Sequence, residues 1–223
     1  MILSYIPCGL EITISEGGVS GICLENSQDM QTFLHSMWSQ TNGGEGEIYL
    51  SEGDKSIRLD KEVRVVWNPF SVDLNEKKIL SKLWGEMQEI AEAELYVHKS
   101  ELNAAIILFL EELNHRIPYP LSYSLDLDIQ QLLKEYEIKI DMQSTCLNEQ
   151  IVNYMKLSHQ ILGINLFVFW HLKDYLSVEE LESLYEMVAY EQISVVLLES
   201  RVASKLPREQ WWIVDDEHCI IEI

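Results

Sequence analysis

Two aspartates lie close together just before a predicted helix and could hold a metal ion. Asp126 and Asp128 occur in the segment SLDLDI. Hard cations such as Ca²⁺ prefer carboxylate and carbonyl oxygens arranged in loops, so this pair is a candidate calcium site. Acidic residues are also favoured at the start of a helix, where they cap free backbone N–H groups. The pattern favours capping, with metal binding as the alternative.

Basic residues are scarce, and many of them fall in one helical stretch. The chain of 223 residues has 16 Lys and Arg against 37 Asp and Glu, a formal net charge of −21. This excess of acid argues against a general nucleic-acid-binding protein, because phosphate binding rests on clustered cations. A set of lysines on one side of a helix can nevertheless contact a phosphate backbone without reading sequence. The candidate DNA-binding residues are Lys77, Lys78, Lys82, Lys99, Arg116 and Lys134. Glutamates are interleaved with them, and a solvated helix face is therefore the competing interpretation.

The sequence contains no motif for nucleotide binding or for a familiar catalytic centre. Neither G-x-x-x-x-G-K-[ST] nor G-x-G-x-x-G occurs, so the sequence has no known glycine-rich phosphate-binding loop. A G-x-S-x-G nucleophile elbow is also absent. The six histidines show no zinc-binding spacing, and the four cysteines form no C-x-x-C. We therefore predict a protein without enzymatic activity or bound nucleotide, with reduced and mostly buried thiols.

The segment INLFVFWHLKDYLSVEELESLYEMV predicts a buried strand followed by a well-capped helix. INLFVFW is a continuous apolar run, which is typical of a strand buried on both faces in a parallel sheet. Ser177 and Glu180 form an S-x-x-E capping box, and Leu176 and Leu181 are spaced for a hydrophobic staple. Asp174 follows the strand too late to act as the magnesium ligand of a Walker B motif. We interpret this junction as scaffold.

The chain divides by its pattern into a mixed α/β part and a helical part. Residues 1–72 contain strand-like alternation around one short helix, and residues 121–223 alternate helices with strands. Residues 73–120 show apolar residues at helical spacing and predict two helices. We therefore predict an α/β domain made of residues 1–72 and 121–223, with a largely parallel sheet, and a two-helix segment inserted at 73–120.

Local signals place the ends of some of these elements. Asp73 and Glu76 are spaced as a capping pair for the first helix of the inserted segment, and Pro118 ends the second. Gly163 is placed as the C-cap of a later helix. The segment EIKIDM predicts a short strand. The longest apolar runs, AAIILFL and LFVFW, are too short to span a bilayer, so we expect a cytoplasmic protein with no membrane partner.

The C-terminal half resembles the Csn-two family, the ring-forming CRISPR-associated proteins of type II-A systems. The likeness begins with YEIKIDMQS and a following helix, and continues through NLFVFWHLKDYLSVEELESLYEMVAYEQISVVLLESR. A middle block of the family, YL[ST]-x-[DE]-E, is matched by Tyr175, Leu176, Ser177, Glu179 and Glu180. A last block, VLFLE-x-R, is matched by Leu198, Glu199 and Arg201.

The resemblance implies an α/β head related to P-loop folds, without Walker motifs, and an inserted α-helical leg. It also implies a homotetrameric ring that binds the ends of linear double-stranded DNA during spacer acquisition, the adaptation step of CRISPR defence. Its partners would be the integrase and effector nuclease proteins of the same system, and no catalytic activity is implied. The rival expectation is a protein-interaction adaptor for those nucleases with weak or lost DNA binding, which the acidic charge favours.

Calcium is the cofactor that the resemblance implies, in support of the ring and of DNA binding. Asp126 matches an acidic position of the family, whereas Asp128 is a neighbouring acid outside the family pattern. Other acidic positions of the family fall here on apolar or neutral residues, among them Tyr123, Leu125 and Gln131. Calcium binding is thus an expectation that rests on a partial set of ligands.

Overall fold

The protein, described from a computed structural model that covers residues 1–202 and 204–223, has a mixed α/β fold. Contacts within the chain define two compact units, one made of Met1–Leu74 and Met142–Ile223 and the other of Asn75–Asp141. We call them the α/β unit and the helical unit. The predicted α/β class with a largely parallel sheet is confirmed. The helical unit runs further along the chain than the predicted leg at 73–120, since residues 121–141 cluster with the helices.

The elements follow one another in an order that interrupts the α/β unit once. Its strands are β1 (Ile2–Tyr5), β2 (Leu10–Thr13), β3 (Val19–Leu24), β4 (Ile48–Glu52), β5 (Lys55–Ile57), β6 (Val63–Val66), β7 (Leu166–Trp170), β8 (Ser194–Glu199), β9 (Glu209–Val214) and β10 (Ile220–Glu222). Its helices are α1 (Ser27–Thr41), α2 (Leu59–Glu62), α6 (Leu147–Leu162) and α7 (Val178–Tyr190), and those of the helical unit are α3 (Lys77–Ala93), α4 (Tyr96–Asn114) and α5 (Ile129–Glu135).

A six-stranded sheet forms the centre of the α/β unit. Its strand order is β10-β9-β3-β8-β7-β6, and all neighbours are parallel except β10, which is antiparallel to β9. Every residue of β3 and β8 is buried, and so are the first four residues of β7. This burial explains why LFVFW is apolar throughout, and it confirms the strand predicted there.

A second, antiparallel sheet with the order β2-β1-β4-β5 shares the core of the large sheet. Leu3 of β1, Phe33 of α1 and Val196 of β8 belong to one buried cluster, so the helix and both sheets enclose the same apolar interior. The segment SEGDKS contains the hairpin turn that joins β4 to β5, and Gly53 in this turn has a φ of +55°.

Gly21 allows β3 to lie against a tryptophan of the next strand. It is paired with Trp211 of β9, and a Cβ at this position would lie 2.2 Å from Trp211 Cδ2. A glycine inside a strand often marks such a close approach. The Trp211 side chain is fully buried, and a methyl group at position 21 would overlap its ring.

The helical unit is held together partly by side chains that bond to the backbone. The Asn75 amide accepts a hydrogen bond from Ile140 N at 2.8 Å and donates one to Ile140 O at 3.1 Å. Trp84 Nε1 donates to Ile138 O at 3.2 Å. These bonds satisfy backbone groups that a strand would offer to a neighbour. The strand predicted for EIKIDM is therefore wrong, and residues 138–142 have no regular structure.

The two predicted leg helices are present as α3 and α4, but the start of α3 differs from the prediction. Its N-cap is Glu76, and no side-chain hydrogen bond caps it. The capping pair predicted from Asp73 and Glu76 is therefore wrong. At the end of α6, Gly163 has a φ of +70° and acts as the C-cap, as predicted. Among the described residues, no helix is both long and apolar enough to cross a membrane.

Candidate functional site

Three side chains capable of binding a metal meet at the carboxyl edge of the parallel sheet. His171 directly follows β7, and Glu199 is the last residue of the adjacent strand β8. Asp174 is the last residue of the short 3₁₀ helix Leu172–Asp174, which lies between β7 and α7. Ligands of open α/β sheets bind in the crevice outside the carboxyl ends of the strands, so this cluster occupies the place where a site is expected.

The two carboxylates converge on one nitrogen of the imidazole. His171 Nδ1 lies 3.0 Å from Asp174 Oδ2 and 3.4 Å from Glu199 Oε2. The His171 backbone has a left-handed φ of +54°, and its N–H donates to Leu198 O at 3.0 Å. A non-glycine residue in this conformation is uncommon and persists where the surroundings enforce it. The fold thus fixes the direction in which the imidazole leaves the sheet.

Glu199 is the buried member of the cluster. Its side chain is only 5% exposed, and Lys173 N donates to its Oε1 at 3.2 Å. Burial raises the pKa of Glu199 to about 7, the negative charges of Asp174 and Glu209 add to that rise, and Lys173 opposes it. Near neutral pH this carboxyl group is therefore divided between its protonated and charged forms.

A second buried acid beside the cluster holds the Lys173 side chain. Lys173 Nζ lies 2.8 Å from both Glu209 oxygens and donates to Ser204 O at 2.6 Å. Tyr185 Oη and Trp211 Nε1 donate to Glu209 at 2.7 Å each. Burial alone would raise the pKa of Glu209, but these hydrogen bonds, chiefly that of Lys173, outweigh it and hold the pKa below its usual value.

The cluster opens into a cavity in the α/β unit. The cavity has a volume of about 350 Å³, which falls within the range of small-molecule clefts. Its polar lining includes His171, Lys173, Asp174, Glu199 and Arg201, and Trp211 is among the apolar residues. A small ion or water molecule would thus find both charged and neutral contacts at the sheet edge.

The candidate DNA-binding residues are spread over the helical unit. Lys77, Lys78 and Lys82 are exposed in the first turns of α3, and residues 78 and 82 share one helix face by their spacing. Lys99 Nζ in α4 lies 3.3 Å from Glu92 Oε1. Two further candidates, Arg116 just after α4 and Lys134 in α5, are exposed, and the Lys134 ammonium lies 5.7 Å from the centre of a Trp84 ring. Their role in DNA binding stays a prediction.

The predicted metal-binding pair has a clear structural task. Asp128 is the N-cap of α5, and its Oδ1 accepts from Gln131 N at 3.0 Å. The backbone N–H of Asp126 bonds to Ser124 Oγ at 3.2 Å. Capping by Asp128 is therefore confirmed, whereas calcium binding by Asp126 and Asp128 stays a prediction. Within residues 1–202 and 204–223, the one group of three possible metal ligands is that of His171, Asp174 and Glu199.

Sequence reasoning did not find this cluster because its members look unrelated along the chain. His171 shows no metal-binding spacing to another histidine, and Asp174 lies too far after β7 to be a Walker B acid. The useful signal was that polar residues end two consecutive buried strands.

The thiols also differ in part from prediction, since Cys8 and Cys23 are buried but Cys146 and Cys219 are exposed.

Comparison with known proteins identifies the family. The model of the family described as CRISPR-associated protein (Cas_Csn2) matches residues 40–218. A CRISPR-associated protein Csn2 of Enterococcus faecalis is 25% identical over 182 residues, covering 78% of this chain and 81% of its own. A second Csn2, of Streptococcus agalactiae, is 26% identical over 171 residues, covering 75% of this chain and 74% of its own. Since the family match covers most of the chain and includes both units, the protein belongs to the CRISPR-associated Csn2 (Csn-two) family.

Proposed function

We propose that the protein is a non-enzymatic, homotetrameric ring that binds the ends of linear double-stranded DNA during CRISPR adaptation in the cytoplasm. The observation that carries this proposal is membership of the Csn2 family, whose model matches residues 40–218. Binding would rest on the shape of the duplex and on phosphate contacts, without base readout. The proposed partners besides DNA are the integrase and effector nuclease proteins of the same CRISPR system.

Exposed apolar surface on α4 supports self-association. No residue of this 19-residue helix is buried, although it carries large apolar side chains. Phe109 is 61% exposed and Leu108 is 62% exposed. Apolar side chains grouped in this way mark surfaces that other protein covers. In the proposed ring, further copies of the chain cover them.

The helical unit is acidic overall, so DNA contact by this unit would rest on its exposed lysines. Residues 75–141 contain seven Lys and Arg against thirteen Asp and Glu, a net charge of −6, while the whole chain carries −21. The remaining residues carry −15, so for its length the helical unit is about as acidic as the rest of the chain. DNA binding should be weak unless cations such as calcium are bound to the protein. It should also fall steeply as the salt concentration of the solution rises. Calcium bound at Asp126 and Asp128 is one proposed source of such cations.

A mobility-shift experiment tests DNA-end binding. Linear and closed circular duplexes of the same sequence are compared with calcium and with a chelator, and we expect the linear form alone to shift. The variant Lys77→Glu/Lys78→Glu/Lys82→Glu should lose binding. The matched control, Lys61→Glu/Lys205→Glu, reverses two exposed lysines of the α/β unit and should retain it. Equal binding of both DNA forms, or binding by neither, contradicts the proposal.

The ring itself is tested by measuring mass in solution. We expect four chains per particle for the unmodified protein. Phe109→Asp places a charge in the apolar surface of α4 and should shift the mass toward smaller assemblies, whereas Glu111→Gln on the same helix should not. A monomer at all concentrations, with and without calcium, would remove the premise of ring threading.

The alternative function is that of a protein-interaction adaptor for the adaptation nucleases. The net charge of −21 favours it, because the acidic excess opposes DNA binding. Under this alternative the lysine-reversed variant should still retain the integrase and effector nuclease in a pull-down, and the unmodified protein should shift no DNA at low salt. DNA binding by the unmodified protein that the variant loses would favour the ring model instead.

A further inference from the structure

We infer that His171, Asp174 and Glu199 form a binding site for a divalent transition-metal ion, of which Zn²⁺ is the best-fitting representative. The site lies in the α/β unit at the carboxyl ends of β7 and β8. It is separate from the proposed calcium ligands Asp126 and Asp128, and it does not depend on DNA binding.

The spacing of the three ligand atoms fits a small ion. The imidazole nitrogen lies 3.0 Å from one carboxylate oxygen and 3.4 Å from the other, and the three ligand atoms lie within 4.8 Å of one another. Zinc bonds of roughly 2.0–2.2 Å in a tetrahedron place neighbouring ligand atoms roughly 3.3–3.6 Å apart. The three side chains therefore need only small adjustments to surround one ion.

The hydrogen-bonding capacity of the imidazole also points to a cation. Nδ1 of a histidine carries at most one proton, yet the Asp174 and Glu199 carboxylates both face it. One N–H can serve one of these oxygens well, but not both. A cation placed between the three atoms would interact with both carboxylates and with the nitrogen lone pair at once.

Electrostatics favour positive charge at this position. The Lys173 ammonium is held by Glu209 and Ser204 O, while Glu199 receives the Lys173 backbone N–H. A buried carboxylate is costly unless it is paired. The hydrogen bond from the uncharged Lys173 N–H orients Glu199 with its Oε2 toward His171. Hydrogen bonds to metal ligands commonly orient them in this way. A divalent ion would supply the charge that this arrangement lacks.

The cavity gives the ion access and a free coordination position. Asp174 is 63% exposed, and all three ligands line the cavity of about 350 Å³. Three protein ligands with water in the fourth position is the arrangement of open zinc sites. The imidazole selects against Ca²⁺, which takes six to eight oxygen ligands, and suits Zn²⁺ among the divalent ions.

Calorimetric titration of the 223-residue chain with Zn²⁺ tests the site. The exposed thiols are first removed with Cys146→Ser and Cys219→Ser, so that they cannot bind zinc themselves. We expect one Zn²⁺ per chain, undiminished by excess Ca²⁺. Asp174→Asn changes an exposed side chain and should weaken Zn²⁺ binding at least about 10-fold. Glu199→Gln should weaken it similarly.

The matched control is a histidine–carboxylate pair to which residues 1–202 and 204–223 add no third ligand. His218 Nε2 lies 2.8 Å from Asp29 Oδ2, and His218→Gln should leave Zn²⁺ binding unchanged. Co²⁺ provides an independent readout, because its visible absorption reports the ligand geometry and should disappear in Asp174→Asn. Absence of Zn²⁺ binding in the parent, equal binding by Asp174→Asn, or loss of binding in His218→Gln would each overturn the inference. If Glu199→Gln does not fold, the Asp174→Asn variant decides the question. Since no readout involves DNA, failure of the proposed function would leave this test intact.

Discussion

The Lys173 ammonium lies 2.8 Å from both carboxylate oxygens of Glu209, and the Glu209 side chain is completely removed from solvent. Lys173→Met would remove the positive charge and leave this acid unpaired. Breaking a buried ion pair in this way costs about 3–5 kcal/mol. We therefore expect the free energy of unfolding, measured with a chemical denaturant, to fall by about that amount.

Two further variants identify the cause of that loss. Lys173→Met/Glu209→Gln removes the orphaned charge and should recover part of the stability. Lys156 and Glu191 form a pair 3.2 Å apart nearer the surface, so Lys156→Met should cost less than about 1 kcal/mol. A similar loss in both single variants would show that the burial of Glu209 is not the reason.

The buried acid of the metal-binding cluster should make stability depend on pH. The folded-state pKa of Glu199 is raised from 4.5 to about 7, first by burial and then by the charges of Asp174 and Glu209. The folded protein therefore binds this proton more tightly than the unfolded chain. The resulting stabilisation is complete below pH 4.5 and is lost as the pH rises toward 7.

Glu199→Gln should remove this particular pH dependence. In metal-free buffer, the unmodified protein should lose up to about 3 kcal/mol of stability from this group between pH 4.5 and 7. The difference in unfolding free energy between protein and variant should change by that amount over the same interval. A constant difference would mean that Glu199 titrates in the folded protein as it does in the unfolded chain.

The close approach of β3 to Trp211 should make Gly21 intolerant of any side chain. Gly21→Ala puts a methyl group 2.2 Å from a fully buried ring, and overpacking of this kind costs about 3 kcal/mol. Gly85 in α3 has nothing within 4 Å of its Cβ position. Gly85→Ala should therefore stabilise the protein by about 0.5–1 kcal/mol. Thermal unfolding of both variants measures the contrast, and equal shifts would contradict it.

The capping box of α7 offers a test of a local sequence signal. Glu180 N donates to Ser177 Oγ at 3.3 Å, and Ser177 N donates to Glu180 Oε2 at 2.8 Å. Ser177→Ala removes the hydroxyl acceptor and should cost about 1 kcal/mol of unfolding free energy. Ser183→Ala, at an exposed position inside the same helix, should be neutral or slightly stabilising, because alanine has the higher helix propensity.

Local signals of this kind were readable in the sequence because the residues that satisfy them are near neighbours. The Ser177–Glu180 box and the Gly163 C-cap are both present as predicted. The apolar run of β7 was equally informative, because a strand buried on both faces has no polar positions. The class of fold follows from such elements and their order along the chain.

Long-range contacts account for what the sequence did not reveal. VSGICL forms β3 but was not predicted as a strand. The glycine inside it, Gly21, makes room for the Trp211 side chain, which lies 190 residues further along the chain. EIKIDM looks like a strand, but Asn75 bonds to its backbone from 65 residues away. The His171, Asp174 and Glu199 cluster likewise exists only once β7 and β8 are paired.

The position of β3 in the large sheet sets an order of events during protein synthesis. Its two neighbours are β8 and β9, which begin 170 and 185 residues after its last residue. The centre of this sheet cannot close until residue 214 has left the ribosome, which adds residues at roughly 5–20 per second. The helical unit comprises a continuous stretch of chain, Asn75–Asp141, and its local contacts can form much sooner. During synthesis the apolar residues of β3 therefore remain unpaired until β8 and β9, in the last quarter of the chain, have been made.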